Sequence, residues 1–477
     1  MGRMECGKLP QGWKIAGLAT VIQPHFLPFA AQTVKMQPMK QTVDLLIFPR
    51  WVIPVEPAAV LTEHAVAVKD GMLVDVLPAV DAHERYQADQ VFDLPGQALI
   101  PGLINLHGHA AMSLMRGMAD DMPLMGWLHE RIWPAEKQHV SEAFVRDGTL
   151  LAAAEMLSGG TTCCNDMYFF PHAAAEAYLI AGMRATLGMI VLEFPSAYAA
   201  DADDYLARGL HVRDTFRDEA RLSFSFAPHA PYTISDATYA RIGTLSDQLG
   251  LPIHTHIHET LEEIETSLKQ HGVRPLERLA RLGLLGPNFI GVHAVHLSDS
   301  EIDTLAQFNC HVAHCPGSNL KLASGIAPIA ALLKAGVNIG IGSDGAASNN
   351  RLDMFAEMRL AALLAKGASQ DAAVLPAAAV LRAATINAAR ALNLDHLIGS
   401  LAPGKRADMV AVDMGALHHQ PVYDPVSHLA YVAGREDVSH VWVDGELRVE
   451  NRRLLSLDTD DLRARAAYWH SKLKDTP

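Results

Sequence analysis

ALIPGLINLHGHA occupies residues 98–110 and ends in two histidines one residue apart. Its apolar part, ALIPGLINL (98–106), is the first of eight short apolar runs in the middle of the chain. The others are TTCCN (161–165), ATLGMIVL (185–192), LSFSFAP (222–228), LPIHTHI (251–257), FIGVH (289–293), CHVAH (310–314) and VNIGIGS (337–343). Helix-like stretches separate the runs. Strands that alternate with helices indicate parallel βα units, and eight units predict an α/β fold with a (β/α)8 barrel of the TIM type over residues 98–397.

Short strands of a different kind flank this middle region. They include AVAVKDGMLVDVLP (65–78) before it and HVWVDGELRVE (440–450) after it, each with an Asp-Gly pair typical of a tight hairpin. We therefore expect one small β-sandwich domain built from both chain ends, in two parts at 41–97 and 398–455. Residues 456–477 are predicted to form a C-terminal helix.

Residues 1–40 are predicted to be an N-terminal extension, and whether residues 1–35 belong to the natural protein is left open. IAGLATVI (15–22) resembles the apolar part of a signal peptide, but Gln23, Pro24 and His25 end that run. An extended or misassigned start is favoured, with Met36 or Met39 as alternative initiators. We expect a cytoplasmic protein.

Composition limits the classes of partner. The 477 residues include 19% charged residues and carry a net charge of −14, which argues against a nucleic-acid partner or an anionic membrane surface. No apolar run reaches the roughly 18 residues that a membrane-spanning helix needs. Five scattered cysteines without a CxxC motif predict neither a disulfide framework nor a zinc ribbon.

Reactive side chains follow several of the predicted barrel strands, where barrel enzymes build their sites. They are His107, His109, His229, His256, His293 and Asp344. His107 and His109 share one strand face and can reach one ion. An HxH pair also arises by chance in a chain with 24 histidines, so the interpretation depends on the other strand ends.

Five motifs together resemble the amidohydrolase superfamily, in the branch that contains chlorohydrolases and aminohydrolases of purine-like rings. They are PGLINLHGHAAMSLMRG (101–117), HIHET (256–260), GVHAVHLSD (291–299), AHCPGSNLKLASG (313–325) and GIGSDGAASNN (340–350). Within that branch, LMGWLHERIWPAE (124–136) and APHAPYT (227–233) look most like 5-methylthioadenosine/S-adenosylhomocysteine deaminases.

The resemblance implies one divalent metal ion, usually Zn²⁺, held by four residues: His107, His109, His256 and Asp344. Neutral imidazoles and a carboxylate suit zinc and leave a position for water. Relatives with two metals use a lysine on the fourth barrel strand, and APHAPYT has none.

The resemblance also implies the catalytic roles. Glu259 would protonate a ring nitrogen, Asp344 would accept the proton of the attacking water, and His293 would stabilise charge at the tetrahedral carbon. For substrate, Glu136 would accept hydrogen bonds from ribose hydroxyls and His229 would donate to a purine nitrogen, with Trp127 nearby. Without the resemblance, Glu136 reads equally well as a helix-surface glutamate.

The two other histidines of the HIHET region receive different predictions. His254 shares a strand face with His256 but lies deeper, so we expect a buried, hydrogen-bonded side chain. His258 is expected beyond the strand, as a pocket wall or in solvent.

Three functions remain open at this point. The first is hydrolytic deamination of 5′-methylthioadenosine, S-adenosylhomocysteine or adenosine to the inosine analogue, in a homodimer or homotetramer. The second keeps the metal site but takes another ring, such as guanine, a pterin or a triazine, and the third is a non-catalytic scaffold. The zinc cytidine-deaminase class is excluded because its PCxxC element is absent.

Overall fold

The computed structural model describes residues 16–17 and 40–474. Lys40–Pro477 form one compact unit. The predicted N-terminal extension therefore lies almost entirely outside the described residues. Within the described ranges, no helix combines the length and apolar character needed to cross a membrane.

The first part of the chain forms strands and one short helix. They are β1 (Gln41–Val52), β2 (Leu61–Thr62), β3 (His64–Lys69), β4 (Met72–Pro78), α1 (Ala79–Arg85) and β5 (Tyr86–Pro101). The predicted Asp70–Gly71 turn joins β3 to β4. Lys69, the last residue of β3, pairs directly with Met72, the first residue of β4. Both turn residues have positive φ, 51° and 72°, as a two-residue type I′ turn requires.

Eight parallel strands follow, paired in chain order. They are β6 (Leu103–Gly108), β7 (Thr161–Tyr168), β8 (Arg184–Val191), β9 (Leu222–Pro228), β10 (Ile253–Ile257), β11 (Phe289–His293), β12 (His311–His314) and β13 (Asn338–Ile341). The barrel nearly closes just after β13, where the Asp344 amide donates to the His107 carbonyl at 2.9 Å. The predicted eight-stranded barrel is confirmed.

Helices connect and cover these strands. They are α2 (Leu124–Trp127), α3 (Trp133–His139), α4 (Glu142–Ser158), α5 (Pro171–Ala181), α6 (Ala202–Phe216), α7 (Asp236–Leu249), α8 (Leu261–His271), α9 (Pro275–Arg281), α10 (Asp299–Gln307), α11 (Pro316–Lys321), α12 (Ile329–Ala335), α13 (Met354–Ser369), α14 (Ala377–Ala383) and α15 (Ile386–Ala391). Ser298 starts α10 with a capping box, exchanging hydrogen bonds with Glu301.

The chain then returns to the first sheet. Its last elements are β14 (Met409–Asp413), α16 (Pro425–Tyr431), β15 (Val438–Val443), β16 (Glu446–Glu450), β17 (Arg453–Leu454) and α17 (Thr459–Leu473). Because β14 pairs antiparallel with β5, the strands from both chain ends form one mixed sheet of nine strands. The predicted small β domain built from both ends is confirmed.

The run ALIPGLINL does not form one barrel strand as expected. Residues 98–101 end β5 and pair with β14, and the barrel begins after Gly102. A Cβ added to Gly102 would lie 2.0 Å from Thr162 Oγ1, so only glycine fits the crossing from sheet to barrel.

A buried arginine joins the barrel to the sheet. Arg184, the first residue of β8, donates to both carboxylate oxygens of Asp408 at 2.9 and 3.1 Å. It also donates to Asp444 at 2.6 Å. Bidentate pairing of this kind is strong and directional, so it fixes the orientation of the sheet against the barrel.

Candidate metal centre and cavity

The four predicted ligand residues converge at the carboxyl ends of the barrel strands. His107 lies in β6 and His109 directly after it, while His256 lies in β10. Asp344 comes three residues after β13. Strand alternation points His107 and His109 the same way, and barrel geometry brings the other strand ends to that point.

Three pairs of these ligand atoms have the spacing expected around one ion. Asp344 Oδ1 lies 3.2 Å from the Nε2 atoms of both His107 and His109. The Nε2 atoms of His256 and His107 are also 3.2 Å apart. Zinc bonds of about 2.0–2.2 Å at tetrahedral angles place neighbouring ligand atoms roughly 3.3 Å apart. The donor set therefore fits a divalent ion such as zinc.

The other ring nitrogen of each histidine has its own acceptor. His109 Nδ1 donates to the Met167 carbonyl at 2.5 Å, and His256 Nδ1 donates to the His229 carbonyl at 2.7 Å. His107 Nδ1 lies 3.0 Å from His254 Nε2, which confirms the buried, hydrogen-bonded His254. With Nδ1 protonated, each Nε2 presents a lone pair to the centre.

Burial favours the neutral form of two of these imidazoles, which is the form that binds metal. It lowers the pKa of His107 to about 4 and the pKa of His256 well below its usual range. Burial also lowers the pKa of His109, but its contact with Asp344 outweighs that effect and the net shift is upward.

Asp344 is held by a set of donors around both oxygens. Its Oδ2 accepts from Ser318 Oγ at 2.6 Å and Ser348 Oγ at 2.8 Å. Burial alone would raise the pKa of this carboxyl, but His107 and His109 hold the pKa well below its ordinary range. Its backbone has φ 61°, a left-handed conformation that strains a non-glycine residue and occurs often at functional sites.

Glu259 and His293 face each other beside this centre. His293 Nε2 lies 3.6 Å from Glu259 Oε2, and its Nδ1 donates to Asn319 Oδ1 at 2.8 Å. Glu259 accepts from Ser324 Oγ at 3.2 Å. Burial raises the pKa of Glu259, although the neighbouring His293 opposes the shift. A buried carboxyl with a raised pKa is suited to act as a general acid.

A cavity of about 620 Å³ opens over these groups. Eight of the nine predicted site residues line it: His109, Trp127, Glu136, His229, His256, Glu259, His293 and Asp344. His107 is fully buried behind them. The volume suits a small organic molecule rather than a polymer.

Glu136 lies in α3 and faces the cavity, so the helix-surface interpretation is wrong. Its Oε1 accepts from the Tyr168 hydroxyl at 2.8 Å, at the end of β7. Burial raises the pKa of Glu136 to about 7, while the Tyr168 hydrogen bond opposes the shift. One oxygen of the carboxylate is thus fixed by Tyr168, and the other is available to a molecule in the cavity.

Trp127 and His229 complete the wall. Trp127 ends α2, immediately before a π-helical turn over Leu128–Ile132, and its buried Nε1 has no acceptor in the part of the chain that the structure describes. His229 Nδ1 lies 3.3 Å from Thr233 Oγ1. Burial lowers the pKa of His229 to about 3, so the ring is neutral at physiological pH.

His258 corrects an expectation. It neither lines the cavity nor meets solvent, because a left-handed turn at φ 55° directs it inward. Its Nε2 accepts from the Leu276 amide at 3.0 Å, and its Nδ1 lies 3.2 Å from the His296 carbonyl. His258 therefore holds the loop after β10 against α9.

The supporting residues were not singled out from the sequence. Tyr168, Ser318, Asn319, Ser324 and Ser348 orient the cavity carboxylates and His293 through the hydrogen bonds given above. Four of them lie inside the quoted motifs at 313–325 and 340–350, so their location was a usable signal. Tyr168 lies outside the motifs, and only the structure shows that it ends β7.

Comparison with known proteins assigns the family. The model of the Amidohydrolase family matches residues 98–448. The chain belongs to the amidohydrolase family. A 5-methylthioadenosine/S-adenosylhomocysteine deaminase of Saccharophagus degradans is 47% identical over 436 residues, 91% of this chain and 98% of the relative. The enzyme of that name from Teredinibacter turnerae is 48% identical over 433 residues, again 91% and 98%.

Solved structures of amidohydrolases agree with the fold. An adenosine deaminase from Xanthomonas campestris with bound zinc superposes with a TM-score of 0.90 at 48% identity, covering 91% of this chain and 100% of that one. An atrazine chlorohydrolase from Arthrobacter aurescens, complexed with zinc, has a TM-score of 0.83 at 22% identity, covering 89% and 99%. The second likeness extends to the fold alone.

Proposed function

We propose that this amidohydrolase is a metal-dependent deaminase of 5′-modified adenosines, converting 5′-methylthioadenosine, S-adenosylhomocysteine or adenosine to the inosine analogue and ammonia. The observation that carries the proposal is the carboxylate of Glu136, which lines the same cavity as His109, His256 and Asp344. A carboxylate fixed by Tyr168 suits a ribose diol, which a free base lacks. The names of the relatives, 47% and 48% identical, support the same substrate class.

His107, His109, His256 and Asp344 would hold one divalent ion, and the proposal is zinc. The close ligand spacing and the protonated Nδ1 atoms support this assignment. An ion bound there would lower the pKa of a water toward neutrality and so supply the nucleophile. β9 ends in Pro228, followed by His229, and no lysine lies there to bridge a second ion.

Three side chains then transfer protons or stabilise charge during the reaction. Asp344 accepts the proton of the attacking water at Oδ1 or Oδ2. Glu259, whose pKa burial raises, donates a proton in its acid form to the ring nitrogen beside the attacked carbon. His293, oriented by Asn319 and carrying a proton on both ring nitrogens, donates a hydrogen bond from Nε2 to the developing oxyanion at the tetrahedral carbon.

The residues that line the cavity would orient the substrate. Glu136 accepts from the ribose hydroxyls, His229 bonds a purine ring nitrogen, and the Trp127 ring packs on the nucleoside. Apolar side chains dominate the rest of the lining, including Leu128, Ile132 and Phe194. Such an apolar surface suits the carbon and sulfur atoms of a 5′-thioether.

The assembly and location stay predictions. We propose a homodimer or homotetramer in the cytoplasm. The described cysteines are all free and buried, as a reducing compartment allows.

An ammonia-release assay tests the proposal. The zinc-loaded protein is incubated separately with methylthioadenosine, S-adenosylhomocysteine, adenosine, guanine and cytosine. We expect ammonia from at least one of the three nucleosides and none from the two bases. Turnover of guanine without turnover of the nucleosides would contradict the proposal, and an inactive protein with a full metal content would favour the scaffold alternative.

A further inference from the structure

A second cluster of potential ligands lies outside the barrel cavity. His418 and His419 sit in a short 3-10 turn, Leu417–His419, and Asp437 ends another, Arg435–Asp437. The ligand atoms of these three side chains lie within 4.8 Å of one another. The cavity lining includes none of the three, so the proposed deamination does not use them.

The spacing within this cluster is that of metal ligands. His418 Nε2 lies 3.2 Å from Asp437 Oδ1, and His419 Nε2 lies 3.3 Å from Asp437 Oδ2. Ligands bound to zinc at about 2.0–2.2 Å with tetrahedral angles would be separated by roughly 3.3 Å. His418 can also form an ordinary hydrogen bond with Asp437, at 3.3 Å. This pair alone therefore does not distinguish a metal site from a hydrogen-bonded pair.

The surroundings of His419 favour a metal site. Its side chain is fully buried, yet its Nε2 has no hydrogen-bond partner among the described residues, although Asp437 Oδ2 lies 3.3 Å away. Its Nδ1 lies 3.4 Å from Nδ1 of His428, in α16. When His419 Nδ1 donates to His428, its Nε2 lone pair faces the negative Asp437. Two buried acceptors facing each other are unfavourable unless a cation lies between them.

The second carboxylate oxygen is held in place as well. Asp437 is 3% exposed at its side chain, and its Oδ2 accepts from the Gly434 amide at 3.0 Å. His428 and Gly434 thus orient two of the three ligands from behind, as outer partners do at many metal sites. His418 is 53% exposed, so the solvent side of the cluster is open to a water as fourth ligand.

We propose that His418, His419 and Asp437 form a second metal site, for Zn²⁺ or a similar borderline divalent ion. Two imidazoles and one carboxylate favour such ions over Mg²⁺ or Ca²⁺, which prefer oxygen ligands. The ion ties the turn before α16 to the turn after it. Its role is to stabilise this segment, so it takes no part in turnover at the barrel cavity.

Metal counting on the intact protein tests the proposal. Purified protein is stripped with a chelator, reloaded with Zn²⁺ or Co²⁺, dialysed, and analysed for metal per chain. We expect two equivalents for the wild type. We expect one equivalent for His418→Ala and for Asp437→Asn, with the site affinity falling at least about a hundredfold, since even outer partners change metal affinity 10–100-fold.

Two further variants separate this site from the barrel centre. Asp344→Asn should lose the barrel equivalent and keep the other, whereas His470→Ala, at an exposed position on α17, should keep both. His418→Ala should retain the wild-type turnover with nucleosides. A metal content that is the same in the wild type, His418→Ala and Asp437→Asn would overturn the proposal, whatever the substrate of the cavity proves to be.

Discussion

Replacing Glu136 by Gln tests the recognition of the ribose. The change removes the negative charge but keeps the shape of the side chain and one oxygen that can accept the Tyr168 hydroxyl. A hydrogen bond to a charged group is worth about 1.5–3 kcal/mol. Losing one charged acceptor for a ribose hydroxyl should therefore reduce kcat/KM roughly 10- to 150-fold, since about 1.4 kcal/mol is a factor of ten.

The loss should appear mainly in KM, because the diol is bound equally in the ground and transition states. Steady-state rates with adenosine and with 2′,3′-dideoxyadenosine, for wild type and Glu136→Gln, form a double-mutant cycle. The variant should lose activity with adenosine and almost none with the dideoxy analogue. Glu130→Gln, on the exposed surface of the preceding turn, is the matched control and should match the wild type.

The same carboxyl predicts a pH dependence. Because burial raises the pKa of Glu136 to about 7, it is a carboxylate above that pH and gains a proton below it. Protonation removes an acceptor, so KM for adenosine should rise as pH falls through about 7, and this rise should be absent in Glu136→Gln. Equal losses with adenosine and its dideoxy analogue, or a KM that rises equally in the variant, would refute this reasoning.

The other predictions concern proton transfer, metal affinity and stability. Glu259→Gln should reduce kcat by about 10²–10⁴-fold with unchanged metal content, while the exposed Glu262→Gln should change neither, as steady-state rates and metal analysis would reveal. His254→Phe removes the partner of His107 Nδ1, so a competitive chelator titration should find the metal bound 10–100-fold more weakly; unchanged affinity would deny His254 this role. Arg184→Met leaves two carboxylates buried without their partner, so denaturant unfolding should show a loss of about 3–5 kcal/mol, whereas Arg217→Met at the surface should cost little.

The barrel and the strand-end residues could be predicted from the sequence because both have a local signature. Apolar runs that alternate with helices predict parallel strands, and polar residues after them predict a site at one end. Strand alternation alone could not assign different roles to His254, His256 and His258, because side chains two residues apart in a strand point to the same face. The chain leaves the strand at a left-handed residue, His258, whose direction depends on contacts with α9 that no local pattern encodes.

Contacts between distant segments were the least predictable. Tyr168 fixes Glu136 across 32 positions, and Arg184 reaches Asp408 across 224. Neither pair has a sequence spacing that a helix or hairpin would reveal. The split of ALIPGLINL at Gly102 was missed for a related reason: both halves are apolar, and only the position of Thr162 in space shows why the chain must turn there.

Product analysis in water labelled with heavy oxygen tests hydrolytic deamination most directly. Zinc-loaded protein is incubated with methylthioadenosine in this water, and the products are identified by mass spectrometry alongside an ammonia assay. The result expected is one ammonia per turnover and an inosine analogue that keeps its methylthio group and carries one labelled oxygen on the ring. Release of free adenine, or loss of the methylthio group with the amino group retained, would contradict the proposed chemistry.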